Sequence, residues 1–311
     1  MPQPTIQWYP GHIAKAERAL KEQLKRVDVI LEVRDARIPL STHHPQISLW
    51  APDKPCILVL NRQDMIPAAL RDAWRDWFHL QGNPAYFTDA QRGTGVKALA
   101  KVAAKAGEAV NDRRLKRGMK PRAVRTVVIG YPNVGKSALI NRLVGRRVVD
   151  SARKAGVTRQ LRWVRIDDNL DLLDAPGILP ARLNDQTAAI KLALCDDIGT
   201  ASYDNQRVAA ALVDQLKTLQ RLTDGQIVPH HLLRDRYSVD EWSGSGEDYL
   251  LALGAEKYQG DIERATRQIL RDFRKGTLGP IPLEVPPTSG LPGPPEGLLP
   301  EGLLPEGLLP E

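Results

Sequence analysis

Residues 130–137 read Gly-Tyr-Pro-Asn-Val-Gly-Lys-Ser, between the β-branched run Val127-Val128-Ile129 and an apolar periodic stretch from Ala138 to Val144. Strand, glycine loop, helix is the setting that a phosphate-cradling loop requires. Gly130 and Gly135 allow the backbone to turn its N–H groups inward around a phosphate chain, with Val134 and Ala138 flanking the closing turn. Lys136 is placed to reach the terminal phosphates and Ser137 to present its hydroxyl to Mg²⁺. The helix N-terminus adds free N–H groups and its dipole to the same anion site.

Downstream, Val148 to Gln160 is polar, basic and glycine-containing, and Thr158 is the hydroxyl expected to complete a Mg²⁺ shell and sense the terminal phosphate. Strands are expected at Leu161–Ile166 and Leu170–Leu173. The second runs into Asp174-Ala175-Pro176-Gly177, an Asp-x-x-Gly pattern. Asp174 would hold Mg²⁺ through water, and the N–H of Gly177 would contact a γ-phosphate. The next residue is Ile178, where many such enzymes carry a water-orienting Gln; an alkyl side chain cannot orient water.

Upstream, the apolar strand Cys56–Leu60 ends in Asn61-Arg62-Gln63-Asp64. A carboxylate at Asp64 accepts two hydrogen bonds from the N1–H and exocyclic amine of guanine, whereas adenine offers the opposite pattern and leaves it unpaired. The tetrapeptide matches an Asn-Lys-x-Asp guanine signature with Arg62 in the lysine position, where its aliphatic stem can still pack over a base. After a short strand at Ala85–Thr88, the loop Asp89–Gly95 stands where a backbone N–H would meet the base oxygen; of its residues Ala90 and the glycines fit.

These patterns all fall at the ends of expected strands, in an unusual order: the base-reading motifs precede the phosphate loop. A parallel sheet flanked by helices tolerates such a permutation when its original termini lie close together. The expected fold is therefore α/β, a circularly permuted P-loop GTPase domain with a mostly parallel, doubly wound sheet over residues 1–200. A small all-α domain over 201–275 and a disordered Pro/Gly-rich tail over 276–311 follow it.

The 311 residues suffice for two domains, and 42% hydrophobic content is ordinary for a globular protein. No apolar run approaches the length of about 20 residues needed to cross a bilayer, and the N-terminus lacks a signal or transit pattern, so a cytoplasmic protein is expected. Two cysteines, Cys56 and Cys195, support neither a disulfide framework nor a Cys-based metal site. Lys and Arg total 44 against 37 Asp and Glu, a formal charge of +7. The excess is concentrated between Lys97 and Arg125, where only Glu108 and Asp112 oppose the cations, and again from Arg142 to Arg165. Local excess of that kind is the footprint of a polyanion partner, expected here to be nucleic acid.

The chain resembles the ribosome biogenesis GTPase A (YlqF/RbgA) family of circularly permuted GTPases. The resemblance rests on Trp8-Tyr9-Pro10-Gly11-His12, Asp35-Ala36-Arg37-Ile38-Pro39, Asn61-Arg62-Gln63-Asp64, Gly130–Ser137 and Asp174–Gly177, and covers about residues 5–275. It implies GTP hydrolysis coupled to late assembly of the large ribosomal subunit, with GTP, GDP and rRNA as partners; the alternatives are a nucleotide-stabilised RNA-binding scaffold with little turnover and a GTPase acting on another RNA such as tRNA. It also implies a C-terminal helical domain that helps to bind rRNA. By itself His12, at a turn, is ordinary polar surface; the resemblance assigns it the water-orienting role. Similar GTPases with Asn in the phosphate loop use it to help bind K⁺, and Asn133 matches. A monomer is expected.

Beyond residue 200, an amphipathic helix is expected over Asn205–Leu222, with Val208, Leu212, Leu216 and Leu219 on one face. Asp261 can cap another, with Ile262, Ala265, Ile269 and Phe273 facing a core. Its opposite side carries Arg264, Arg267, Arg271 and Arg274, which the resemblance makes contacts to RNA phosphates. From Glu296 the tail repeats Glu-Gly-Leu-Leu-Pro three times.

Overall fold

A computed structural model describes residues 13–149, 162–179, 185–240 and 244–287. His12, Thr158 and the Glu-Gly-Leu-Leu-Pro repeats lie outside the described residues. In chain order the first elements are α1 (Ile13–Leu24), β1 (Val29–Asp35), the single turn α2 (Ile47–Trp50), β2 (Cys56–Asn61), α3 (Ala68–Leu80) and β3 (Ala85–Thr88). Then come α4 (Val96–Ala106), α5 (Glu108–Lys116), β4 (Val124–Ile129), α6 (Lys136–Val144), β5 (Arg162–Arg165) and β6 (Leu170–Asp174). The chain finishes with α7 (Gln186–Leu194), α8 (Asn205–Leu222), α9 (Leu232–Tyr237), α10 (Gly246–Tyr258) and α11 (Ile262–Lys275).

The strands form one six-stranded sheet in the order β3-β2-β1-β4-β6-β5, parallel throughout except for the antiparallel pair β5/β6. The near-continuous apolar runs are explained by this placement, since parallel strands carry helices on both faces. β1 is buried along its whole length, yet contains Glu32 and Arg34. Two residues apart on one face, they pair at 2.8 Å and so enter the interior together. Register aligns Asp35 with Asn61 and Asn61 with Thr88, so three polar side chains emerge at one carboxyl edge of the sheet. β1 leads away to β2 and β3, while β4 lies on its other side. The crevice at the carboxyl ends of β1 and β4 is thus a topological switch point, where open α/β sheets place ligands.

One helix boundary departs from the sequence expectation. Val96 to Val110 is Ala- and Lys-rich and reads in sequence as one helix, but it is broken at Gly107, which ends α4 and opens α5. A β-carbon at 107 would stand 2.3 Å from Val124 Cγ1, so the helix joint presses on the start of β4.

Beyond residue 200, α8, α10 and α11 start at side-chain caps. Asp204 accepts from the N–H groups of Gln206 and Arg207, Ser245 and Asp248 form a capping box, and Asp261 accepts from Arg264 N. Val208, Leu212 and Leu216 of α8, Leu250 and Leu253 of α10, and Ile269 and Phe273 of α11 share one apolar cluster with Leu192 and Leu194 of α7.

The expectation of disorder from Gly276 onward fails for residues 276–287. Leu278, Ile281 and Leu283 are buried, and Leu283 N and Glu284 N donate to Arg37 O at 3.0 and 3.2 Å. The Glu284 carboxylate accepts from Leu40 N at 2.7 Å and from the Ser41 hydroxyl, and pairs with Lys191 at 3.2 Å. Pro and Gly content signalled missing helix; it did not signal missing contacts.

Candidate functional site

The loop 130–137 leaves β4 at the switch point. Lys136 opens α6 and is buried; its Nζ donates to the Tyr131 carbonyl at 2.7 Å. Burial pulls its ammonium down to about 8, against the opposing pull of Asp174 and Asp197. Asp174, at the end of β6, is buried with Oδ1 unpartnered among the described residues, and burial pushes its carboxyl up to about 6 while Lys136 pulls it down. A buried carboxylate oxygen without a donor beside a lysine is a site that favours another cation. Ser137, half-buried in the first turn of α6, supplies the neighbouring hydroxyl. Asp174 and Ser137 are hard oxygen donors of the kind Mg²⁺ takes, so the residues present fit that ion. Gly177 lies against the phosphate loop so closely that a β-carbon there would stand 2.6 Å from Pro132 Cα. Ile178 turns away from solvent into the cluster of Leu20, Leu24, Ile30, Val127 and Ile129, while its N–H donates to Gly130 O at 3.2 Å. Its side chain anchors the Asp174–Gly177 loop to the sheet.

The segment 61–64 meets this loop directly. Asn61 Nδ2 donates to Val134 O at 2.8 Å, while Oδ1 accepts from Thr88 Oγ1 and Ala90 N, each at 3.1 Å. Gly135 is required by that contact: with φ +102, its β-carbon would fall 2.1 Å from Asn61 Nδ2. Arg62 adopts the left-handed conformation, φ 65, donates to Asn133 O at 2.6 Å and pairs with Asp35 at 3.3 Å. Its guanidinium is thereby committed to the phosphate-loop side. Asp64 is exposed. The Ala90 N–H, expected to face a base, instead faces Asn61. Arg142 of α6 donates to the carbonyls of Ala90 and Gln91 and so braces this loop. Asn133, also left-handed at φ 58, spends Nδ2 on Asp196 O at 2.5 Å.

A family model described as 50S ribosome-binding GTPase matches residues 125–229. That span opens in β4 and contains the phosphate loop and Asp174, while Asn61 and Asp64 stand before it, as a permuted order requires. Ribosome biogenesis GTPase A of Bacillus cereus is 33% identical over 92% of this chain and 95% of its own length. The chain belongs to the ribosome biogenesis GTPase A family. Mitochondrial ribosome-associated GTPase 1 of Bos taurus is 30% identical over 89% of this chain and 88% of its own. A crystal structure of GNP-bound YlqF from T. maritima covers 88% of this chain and 98% of its own, at 26% identity and a TM-score of 0.58.

Within this ribosome biogenesis GTPase A fold the protein is a GTPase, and several of its supporting residues escape a motif reading. Asp35 and Arg37 form a buried ion pair at 2.6 Å, both completely sealed, and Arg37 reaches Cys195 O at 3.3 Å. Burial pushes the Asp35 carboxyl up, but Arg37 and Arg62 outweigh it and hold it below its usual range. Asp197, buried beside them, is pushed well up by burial and by Asp35. The Asp35–Pro39 segment enters the sequence reading only through the resemblance; opposite charges two residues apart, at Asp35 and Arg37 after an apolar run, are the signal the sequence offers. Of the arginines expected to face RNA, Arg264 and Arg271 are exposed and Arg267 pairs with Glu263 at 3.3 Å on the surface. Arg274 departs from that face: it donates to Ala193 O, Leu194 O and Tyr203 Oη at 2.8, 3.1 and 2.9 Å. No helix among the described residues is long and apolar enough to cross a membrane.

Proposed function

We propose that the protein is a cytoplasmic, monomeric GTP-hydrolysing assembly factor of the large ribosomal subunit, which binds rRNA late in maturation and leaves after hydrolysis. The contact between Asn61 and Val134 carries this reading, because it ties the segment that would read a guanine to the loop that would wrap its phosphates. Exposed Asp64 accepts from the guanine N1–H and amine, with the Arg62 stem and the Ala90 loop beside the base. Val134 to Ala138, with Lys136 and Gly177, hold the phosphates. Ser137, Asp174 and Thr158 hold Mg²⁺, which when bound neutralises charge on the β- and γ-phosphate oxygens. Because Ile178 is locked in the core, His12 takes the water-orienting role, and the amide oxygen of Asn133 is the ligand for K⁺. Residues 1–200 form the GTPase unit and 201–275 the RNA-binding helical unit.

The charge distribution supports an RNA partner. Lys97, Lys101 and Lys105 recur along the exposed face of α4, and Arg113, Lys116, Arg117 and Lys120 are exposed in and after α5. None of them is ion-paired among the described residues, so phosphate could neutralise them without breaking an existing pair. Arg264, Arg267 and Arg271 extend the contact onto α11. The test is GTP turnover in K⁺ and in Na⁺ buffer, with and without purified large subunits. Stimulation by subunits is expected; turnover indifferent to them removes the assembly reading, and no turnover in any condition leaves a nucleotide-stabilised RNA scaffold.

A further inference from the structure

The last turn of an α-helix leaves carbonyls without helical partners, and its negative dipole end favours cationic donors. At the end of α7 consecutive carbonyls go to side chains from different parts of the chain. Ala193 O and Leu194 O accept from Arg274 of α11 at 2.8 and 3.1 Å. Cys195 O accepts from Arg37 at 3.3 Å, and Asp196 O accepts from Asn133 of the phosphate loop at 2.5 Å. Asp196 holds a left-handed conformation, φ 66, and its carboxylate lies 3.8 Å from Arg274 Nη1. Arg274 is also fixed by the Tyr203 hydroxyl at 2.9 Å and is mostly buried.

We propose that Arg274 is a positioning residue for GTP turnover: it fixes the 193–196 carbonyl run, so that the Asp196 carbonyl holds Asn133 and with it the phosphate loop. Through this joint a displacement of α11 reaches the loop. The inference rests on reading residues 130–137 as the loop that holds GTP. A guanidinium suits the position because it is planar and serves two carbonyls and a hydroxyl at once; a lysine ammonium keeps the charge but is a single point. Asn133 adjoins Pro132, against which Gly177 rests, so the loss should appear in GTP turnover more than in GDP binding.

The test is a double-mutant cycle in the full-length protein, with kcat, KM for GTP and Kd for GDP measured for wild type, Arg274→Met, Asn133→Ala and the double variant. Arg274→Met is expected to lower kcat about fivefold or more, with GDP affinity within about twofold of wild type, and to add nothing in the Asn133→Ala background. Arg274→Lys should recover only part of the loss, and Tyr203→Phe, which deletes one hydroxyl, should give a smaller loss in the same direction. Additive effects, or a lower Tm with wild-type kcat, overturn the proposal and make Arg274 a packing residue only. Should Arg274→Met fail to fold, the cycle is run with Arg274→Lys, and the same outcomes decide. Lys136→Ala with undiminished GTP binding would instead remove the reading of the loop itself.

Discussion

Asn61 donates through Nδ2 to the carbonyl of Val134 at 2.8 Å, joining the end of β2 to the loop after β4 across the sheet's switch point. Both ends of the Asn61 amide are used and the residue is buried, so it cannot be exchanged for its own acid without loss. Asn61→Asp replaces a donor by an acceptor facing Val134 O. The expected cost is about 1–3 kcal/mol, read as a fall in Tm together with weaker GTP binding. An unchanged melting curve would show that the amide contact is dispensable.

Gly135 stands under the same contact. Gly135→Ala adds a β-carbon 2.1 Å from Asn61 Nδ2 at a backbone conformation, φ +102, that other residues rarely adopt. Either Asn61 or the loop must move, so GTP affinity measured by titration is expected to fall at least about tenfold. Gly82→Ala is the control: it too has positive φ, but no atom of the described residues lies within 4 Å of its β-carbon. It is expected to leave affinity unchanged.

Much of this site was legible in the sequence because its motifs are local. Strand, glycine loop and helix follow one another at 124–144, and Asp174 closes β6 as its pattern implied. The joints were not legible, because they depend on sequence-distant partners. Arg274 has the helical spacing of a surface arginine and reads as one until the end of α7 is placed beside it. Residues 276–287 have a disordered composition, yet Glu284 finds Leu40 and Lys191. The break at Gly107 depends on Val124, which periodicity within a helix cannot report.

That C-terminal strap gives a stability prediction. Truncation after Lys275 removes the buried Leu278, Ile281 and Leu283 along with the Glu284 contacts, whereas Glu284→Ala removes only the latter. Glu284→Ala is expected to cost about 1–3 kcal/mol by urea unfolding. The truncation should cost more, since each buried aliphatic side chain contributes about 1.5–3 kcal/mol. Equal stability of the truncated and full-length proteins would mean that the strap merely lies on the surface.

His44 makes stability depend on pH. It is buried between Trp50 and Tyr131, and burial holds its imidazole down at about 4 from an ordinary 6.5. The unfolded chain therefore takes up a proton over that interval before the folded one does, and stability rises with pH from about 4 to 6.5. The full effect approaches about 3 kcal/mol. Asp174, pushed up to about 6, works in the opposite sense, since the folded form holds its proton longer. Comparing wild type with His44→Gln cancels that contribution. The variant should lose less stability than wild type on acidification from pH 6.5 to 4, and parallel urea midpoints would show that His44 is not held neutral.

Asp64 is the residue on which nucleotide choice should turn. Its exposed carboxylate has no hydrogen-bond partner among the described residues, so replacing it leaves no buried group unpaired and Tm should be unchanged. A carboxylate accepts from both the N1–H and the amine of guanine. The amide of Asp64→Asn accepts only one of these and turns its NH₂ against the amine. Loss of a charge-assisted hydrogen bond is expected to weaken GTP about 10- to 100-fold. Xanthine carries a carbonyl where guanine has its amine, so the same NH₂ then becomes a donor to the base. XTP should bind Asp64→Asn more tightly than wild type, and the reversal of preference separates base reading from general damage. If both nucleotides weaken equally, Asp64 supports the site without reading the base.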